Sequence, residues 1–73
     1  MRTKTKPTDL TLMLKFATTF VGRACLDVIA GFARKRRIVD HRAASVFWNL
    51  VDDGRIICHL NQDGVEVVDK VGD

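Results

Sequence analysis

Seventy-three residues allow at most one domain, and a chain of this length buries only about 60% of the surface its unfolded form exposes, so modest stability is expected, with oligomerisation a natural supplement. With 47% hydrophobic residues there is apolar material for one core, which excludes a chain too polar to fold. Twelve Lys and Arg against nine Asp and Glu leave a net charge of +3, basic but far from a polycation.

The charge is unevenly placed. Arg2, Lys4, Lys6, the run Arg34-Lys35-Arg36-Arg37 and Arg42 hold eight of the twelve cations, whereas Asp52, Asp53, Asp63, Glu66, Asp69 and Asp73 make the second half acidic. Such asymmetry suits an anionic partner on one face, and equally a solvated basic loop. The two cysteines, Cys25 and Cys58, each lie in an apolar run and read as small buried hydrophobes, not as a disulfide framework, which fits a reducing, cytoplasmic setting. Residues 10–33 are apolar, but Lys15, Arg23 and Asp27 interrupt them and no cleavage-site pattern follows an unbroken apolar core. Neither a membrane span nor a signal peptide is expected.

Residues 1–7, MRTKTKP, have no apolar side chain between Met1 and the single proline, and they read as a flexible basic arm before a domain over 8–73. Thr8 or Asp9 then offers a helix N-cap. From there apolar residues recur at helical spacing: Leu10, Met13, Leu14, Ala17, Val21, Ala24, Val28 and Phe32. One helix over 9–36 would be about 42 Å long, against a diameter of about 30 Å for a compact chain of this size. A break at Gly22 is more economical and predicts helices near 9–21 and 23–35, with one long helix as the alternative. Leu12, Phe16, Leu26 and Ala30 fall off the main stripe and need either that change of phase or a second buried surface.

Residues 34–42, RKRRIVDHR, carry no helical stripe and read as a loop, with Ile38 and Val39 a short extended piece. Asp40 offers a capping carboxylate for a third helix near 41–53, buried through Ala43, Ala44, Phe47, Leu50 and Val51 and ended by Gly54. RIICHL and VEVVDK then flank NQDG, where Asp63-Gly64 favours a tight turn, and Leu60 facing Val65 or Val67 would hold the ribbon on the helices. The expected fold class is α+β, a small helical domain with a C-terminal two-stranded hairpin.

The stretch AASVFWNLVDDGRIICHLNQDGVEVV, residues 43–68, resembles the end of winged helix-turn-helix domains, in which a helix closes with a hydrophobic residue, an acidic residue, Gly and a β-branched residue before the wing. The resemblance covers the C-terminal half; the N-terminal half fits loosely, because no short strand between the first two helices is evident. It implies a recognition helix over 41–53 and a wing over 55–70. Arg42, Ser45 and Asn49, opposite the apolar side, are residue types that read base edges in a major groove. Arg55, His59, Asn61 and Gln62 would lie on or near the wing, and Arg34, Lys35, Arg36 and Arg37 would add phosphate contacts through counterion release.

The leading expectation is therefore a small DNA-binding protein, a transcriptional regulator acting on double-stranded DNA. The alternative is a non-catalytic protein-interaction module, a small inhibitor or adaptor, because Asp52 and Asp53 repel phosphate and sit at the negative end of their helix. Trp48, at the edge of the apolar face, is a partly buried core residue or, with Leu12 and Phe16, part of a homodimer interface. Cys58 and His59 point to opposite faces of a strand and no spacing resembles a zinc motif, so no metal or cofactor is expected. Asp52 and Asp53 project about 100° apart, and no nucleophile has an evident base, so no catalysis is expected either.

Overall fold

The computed structural model describes residues 7–72. The chain folds in the order α1 (Pro7–Thr18), α2 (Cys25–Arg36), α3 (Asp40–Asp52), β1 (Ile56–Leu60) and β2 (Glu66–Val71). Of the basic arm expected over 1–7, residues 1–6 lie outside the described residues, while Pro7 already belongs to α1. Thr8 and Asp9 accordingly sit inside the first helical turn and not at a cap, and Asp9 faces Arg36 of α2 at 3.8 Å.

The N-terminal apolar stripe is broken where glycine allows it. α1 ends at Thr18, and the chain turns through Gly22 at a φ of +92°, a conformation that costs an L side chain dearly. Immediately after this turn the chain makes a short strand-like pairing that the alternation of residue types does not reveal. Gly22 N donates to Val68 O at 2.7 Å, Val68 N donates to Arg23 O at 2.9 Å, and Ala24 bridges Val67 in antiparallel fashion. Residues 22–24 thus line the second edge of β2, and the segment between α1 and α2 is pinned to the sheet. A single bridge is too short to leave a period-two pattern in sequence.

α2 runs further than expected. Arg34, Lys35 and Arg36 form its last turn instead of a loop, which places three cations at the negative end of the helix dipole. The helix closes on Arg37 in the left-handed region (φ 55°, ψ 47°), with Arg37 N donating to Arg34 O and Ile38 N to Ala33 O. Val39 is extended and is the N-cap of α3, without a side-chain cap bond. Asp40, expected to cap, is instead the first helical residue, where its carboxylate still meets the positive end of the dipole. Gly54, φ +79°, ends α3 as expected, and Arg55 N reaches back to Leu50 O at 2.9 Å.

β1 and β2 pair antiparallel, Ile56 opposite Val71 and Leu60 opposite Glu66, with a bulge beyond Ile57 that leaves Asp69 as the extra residue. The hairpin loop is longer than a two-residue Asp-Gly turn. Asn61 N pairs with Val65 O, Gly64 N closes a turn on Asn61 O, and only Gly64 takes positive φ. This is the three-residue loop in which a type I turn is followed by a left-handed glycine.

The core gathers Met13 and Ala17 of α1, Val28, Ile29 and Phe32 of α2, Ala43, Val46, Phe47 and Leu50 of α3, and Ile56 and Val68 of the hairpin. Only the proximal half of the ribbon joins it. Leu60, expected to hold the ribbon to the helices, is 69% exposed, and residues 59–66 all face solvent, so the distal hairpin projects from the helical body.

Candidate nucleic-acid interface

The expected interface residues fall into two groups. The first surrounds the junction of α2 and α3. Arg34, Lys35, Arg36 and Arg37 are exposed at the end of α2, and His41 and Arg42 are exposed in the first turn of α3. Their side chains do not all have the same surroundings: Arg36 faces Asp9, and Lys35 Nζ lies 5.7 Å from the Phe16 ring.

On α3 the buried face includes Val46, which is absent from the apolar face expected from sequence, while Ala44 and Val51 of that face are only half-buried, and together these differences turn the apolar side by roughly 50° at the helical 100° per residue. The consequence falls on Asn49. It is 9% exposed and grouped with the buried residues of α3, not with the outward face, because it stands about 60° round the helix from Val46. Asn49 is thereby removed from the set that faces a groove. The outward stripe is instead His41, Ser45, Trp48 and Asp52. Ser45 is half-buried and its hydroxyl donates to His41 O at 3.2 Å. Trp48 is half-buried, packs edge-on against Phe47 with ring centroids 4.9 Å apart, and is flanked by half-buried Ala44 and Val51.

The second group is the hairpin. Arg55 is exposed at its start, and Gln62 is exposed at its tip. Asn61 is exposed too, but its Oδ1 accepts from Asp63 N at 2.9 Å and Val65 N at 3.0 Å, so that oxygen builds the loop. His59 Nδ1 stands 3.3 Å from a carboxylate oxygen of the bulge residue Asp69.

Leu12 and Phe16 are half-buried and line a groove of about 450 Å³ between α1 and α2, together with Phe20, Phe32 and the cations Lys15, Lys35 and Arg36. Trp48 is not among the residues that line it, so the three expected dimer contacts are divided between two surfaces. Phe16 packs against Phe20 with ring centroids 4.7 Å apart and ring planes tilted by 44°, meets Phe32 edge-on at 5.7 Å, and has Gly31 below it, where an added Cβ would come within 3.1 Å of Phe16 Cζ.

Cys25 and Cys58, read from sequence as two separate buried hydrophobes, form a pair. Cys25 is buried, Cys58 is half-buried, and their Sγ atoms are 3.2 Å apart across the α2–β1 contact. Burial pushes the Cys25 thiol up to about 12 and raises Cys58 in the same direction, with Glu66 adding to both. Among the described residues no cluster of three or more His, Cys, Asp or Glu side chains is placed to hold a metal ion, and no helix is long and apolar enough to cross a membrane. Compared with protein-family models, curated proteins and solved structures, the chain has no significant match in any of the three.

Proposed function

We propose that this chain binds double-stranded DNA as a small winged-helix regulator, with α3 as the recognition helix and the β1–β2 hairpin as the wing. The observation that carries the reading is the charge polarity of α3. Arg34 to Arg37 stand beside its N-terminus and His41 and Arg42 lie in its first turn, where they outweigh the single carboxylate of Asp40, while Asp52 and Asp53 lie about 15 Å further along the axis. The dipole reinforces this gradient, since the N-terminal end attracts anions. Such a helix approaches phosphate with its N-terminal end, which is how recognition helices meet base edges, and its acidic end points away from the backbone. The bridge of residues 22–24 to β2 supports the same reading, because a short strand between the first two helices is a part of the winged-helix pattern that has no counterpart in the sequence signals.

In this reading Arg42 is the side chain with the reach and fork geometry for a guanine, and Arg34 and Arg37 neutralise phosphates. The mechanism is occupancy of a site without chemistry. The test is fluorescence anisotropy of a mixed-sequence duplex titrated with protein between about 50 and about 200 mM salt. Affinity should fall steeply with salt, and replacing Arg34 and Arg37 by Ala should flatten the log–log salt slope by about 0.9 for each phosphate no longer neutralised. Absence of binding at micromolar protein and low salt sinks the proposal.

Trp48 favours a second reading, a protein-interaction module. A half-buried tryptophan on the outward stripe, beside Ala44 and Val51, is the kind of residue that anchors an interface. A light-scattering mass above that of one chain, lowered by Trp48→Glu, supports this alternative for a homodimer.

A further inference from the structure

We propose that Cys25 and Cys58 form a covalent modification site, at which a small-molecule disulfide of the glutathione type oxidises the dithiol to an intramolecular Cys25–Cys58 disulfide.

The two residues are 33 positions apart, yet their sulfurs approach to 3.2 Å, closer than two thiols need to be if each only fills core space. Each sits on a separate, well-held support. Cys25 opens α2 directly after Ala24, which is bridged to β2; Cys58 lies on β1 just past the bulge, opposite Val68. Val68 in turn donates to Arg23 O, so one hydrogen-bonded ladder carries both cysteines and fixes their separation. Among the described residues no further group joins the pair to make a metal site.

Exposure sets the order of events. Cys25 is 2% exposed, whereas Cys58 is half-buried, so Cys58 is the sulfur that an external disulfide reaches. Cys58, as its thiolate, attacks one sulfur of the small disulfide, forming a mixed disulfide and releasing the first small thiol. Cys25 then gives up its proton and attacks Cys58 Sγ, which displaces the second small thiol. Two electrons pass from the protein sulfurs to the small disulfide, one S–S bond breaks for one that forms, and the two thiol protons leave on the two products. Because burial raises both thiols, the thiolate is scarce at neutral pH, and the exchange follows a sustained shift in redox poise more than a transient oxidant. The product ties the start of α2 to the base of the hairpin, and dithiols of this kind inside cells are characteristically redox-sensing.

The experiment incubates the full reduced chain with excess oxidised glutathione, without oxygen, and reads intact mass and a non-reducing peptide map. The expected product has lost two hydrogens, contains one cross-linked peptide joining Cys25 to Cys58, melts at a higher temperature, and reverts with dithiothreitol. Cys25→Ser should stop at one glutathionyl group on Cys58, and Cys58→Ser should stay unmodified because Cys25 is shielded. Stable glutathionyl adducts on the unaltered chain, disulfide-linked dimers as the main product, or thiols still free after a period that oxidises the urea-unfolded chain would each overturn the proposal. The unaltered chain decides alone, so a serine variant that misfolds does not leave the question open.

Discussion

Arg37 holds the left-handed position between α2 and α3 at φ 55°, ψ 47°, where a glycine is the usual occupant. For an L residue this conformation costs about 1–2 kcal/mol, and glycine avoids that cost but gives up about 0.5–1 kcal/mol to its freer unfolded chain. Arg37 is exposed, and the closing bonds, Arg37 N to Arg34 O at 3.3 Å and Ile38 N to Ala33 O at 3.0 Å, use backbone atoms that glycine retains. Arg37→Gly should therefore stabilise the domain by about 0.5–1 kcal/mol and raise its melting temperature by about 2–8 °C. The same change removes a cation from the proposed phosphate-facing cluster, so stability and DNA affinity should move in opposite directions. Thermal melts followed by circular dichroism, with Arg37→Ala as the control that loses the charge but keeps the strain, separate the two effects. If Arg37→Gly melts no higher than Arg37→Ala, the left-handed strain has been misjudged and the account of this turn fails.

Phe47 is fully buried in α3 between the other helices and the hairpin, and Phe47→Ala should cost about 3–5 kcal/mol, a large part of the stability of so small a domain, read as a lower urea midpoint. The Cys25 thiol, held by burial above its ordinary value of 9.0 at about 12, binds its proton more tightly in the folded chain than in the unfolded one. Its contribution is complete below about pH 9 and is lost as pH rises from there through the folded value, so reduced protein should lose stability on the alkaline side, and Cys25→Ala should flatten that decline in urea titrations at successive pH values.

How much of this is legible in the sequence depends on how each feature is encoded. Gly22, Gly54 and the paired β-branched runs announce the helix break, the helix stop and the hairpin, because each requires a residue type that few alternatives supply. Arg34 to Arg36 read as loop since cations have no stripe to follow, yet they are good helix formers at the favourable end of a dipole. The placement of Asn49 turns on its neighbours together: Val46, three residues before it, is buried, whereas Ala44 and Val51 are only half-buried, and every outward assignment on the helix turns with them. The approach of Cys25 to Cys58 and the bridge of Ala24 to Val67 are tertiary pairings of single residues, for which no local pattern exists.

The rotation of α3 also changes what kind of binding the interface can support. With Asn49 drawn into the buried face, the outward stripe offers His41, Ser45, Trp48 and Asp52, beside exposed Arg42. Ser45 already gives its hydroxyl proton to His41 O, and Trp48 presents a ring and one N–H donor, so few side chains remain that can make paired hydrogen bonds to one base. The cations at the α2–α3 junction, in contrast, are exposed and numerous. Affinity in the proposed complex is thus weighted toward phosphate contacts near the N-terminal end of α3, and sequence discrimination rests chiefly on Arg42. The same geometry makes room for the alternative partner: Trp48 packs against the core on one side yet stays half-exposed on the outward stripe, where a protein contact would be spared competition with DNA at the basic end.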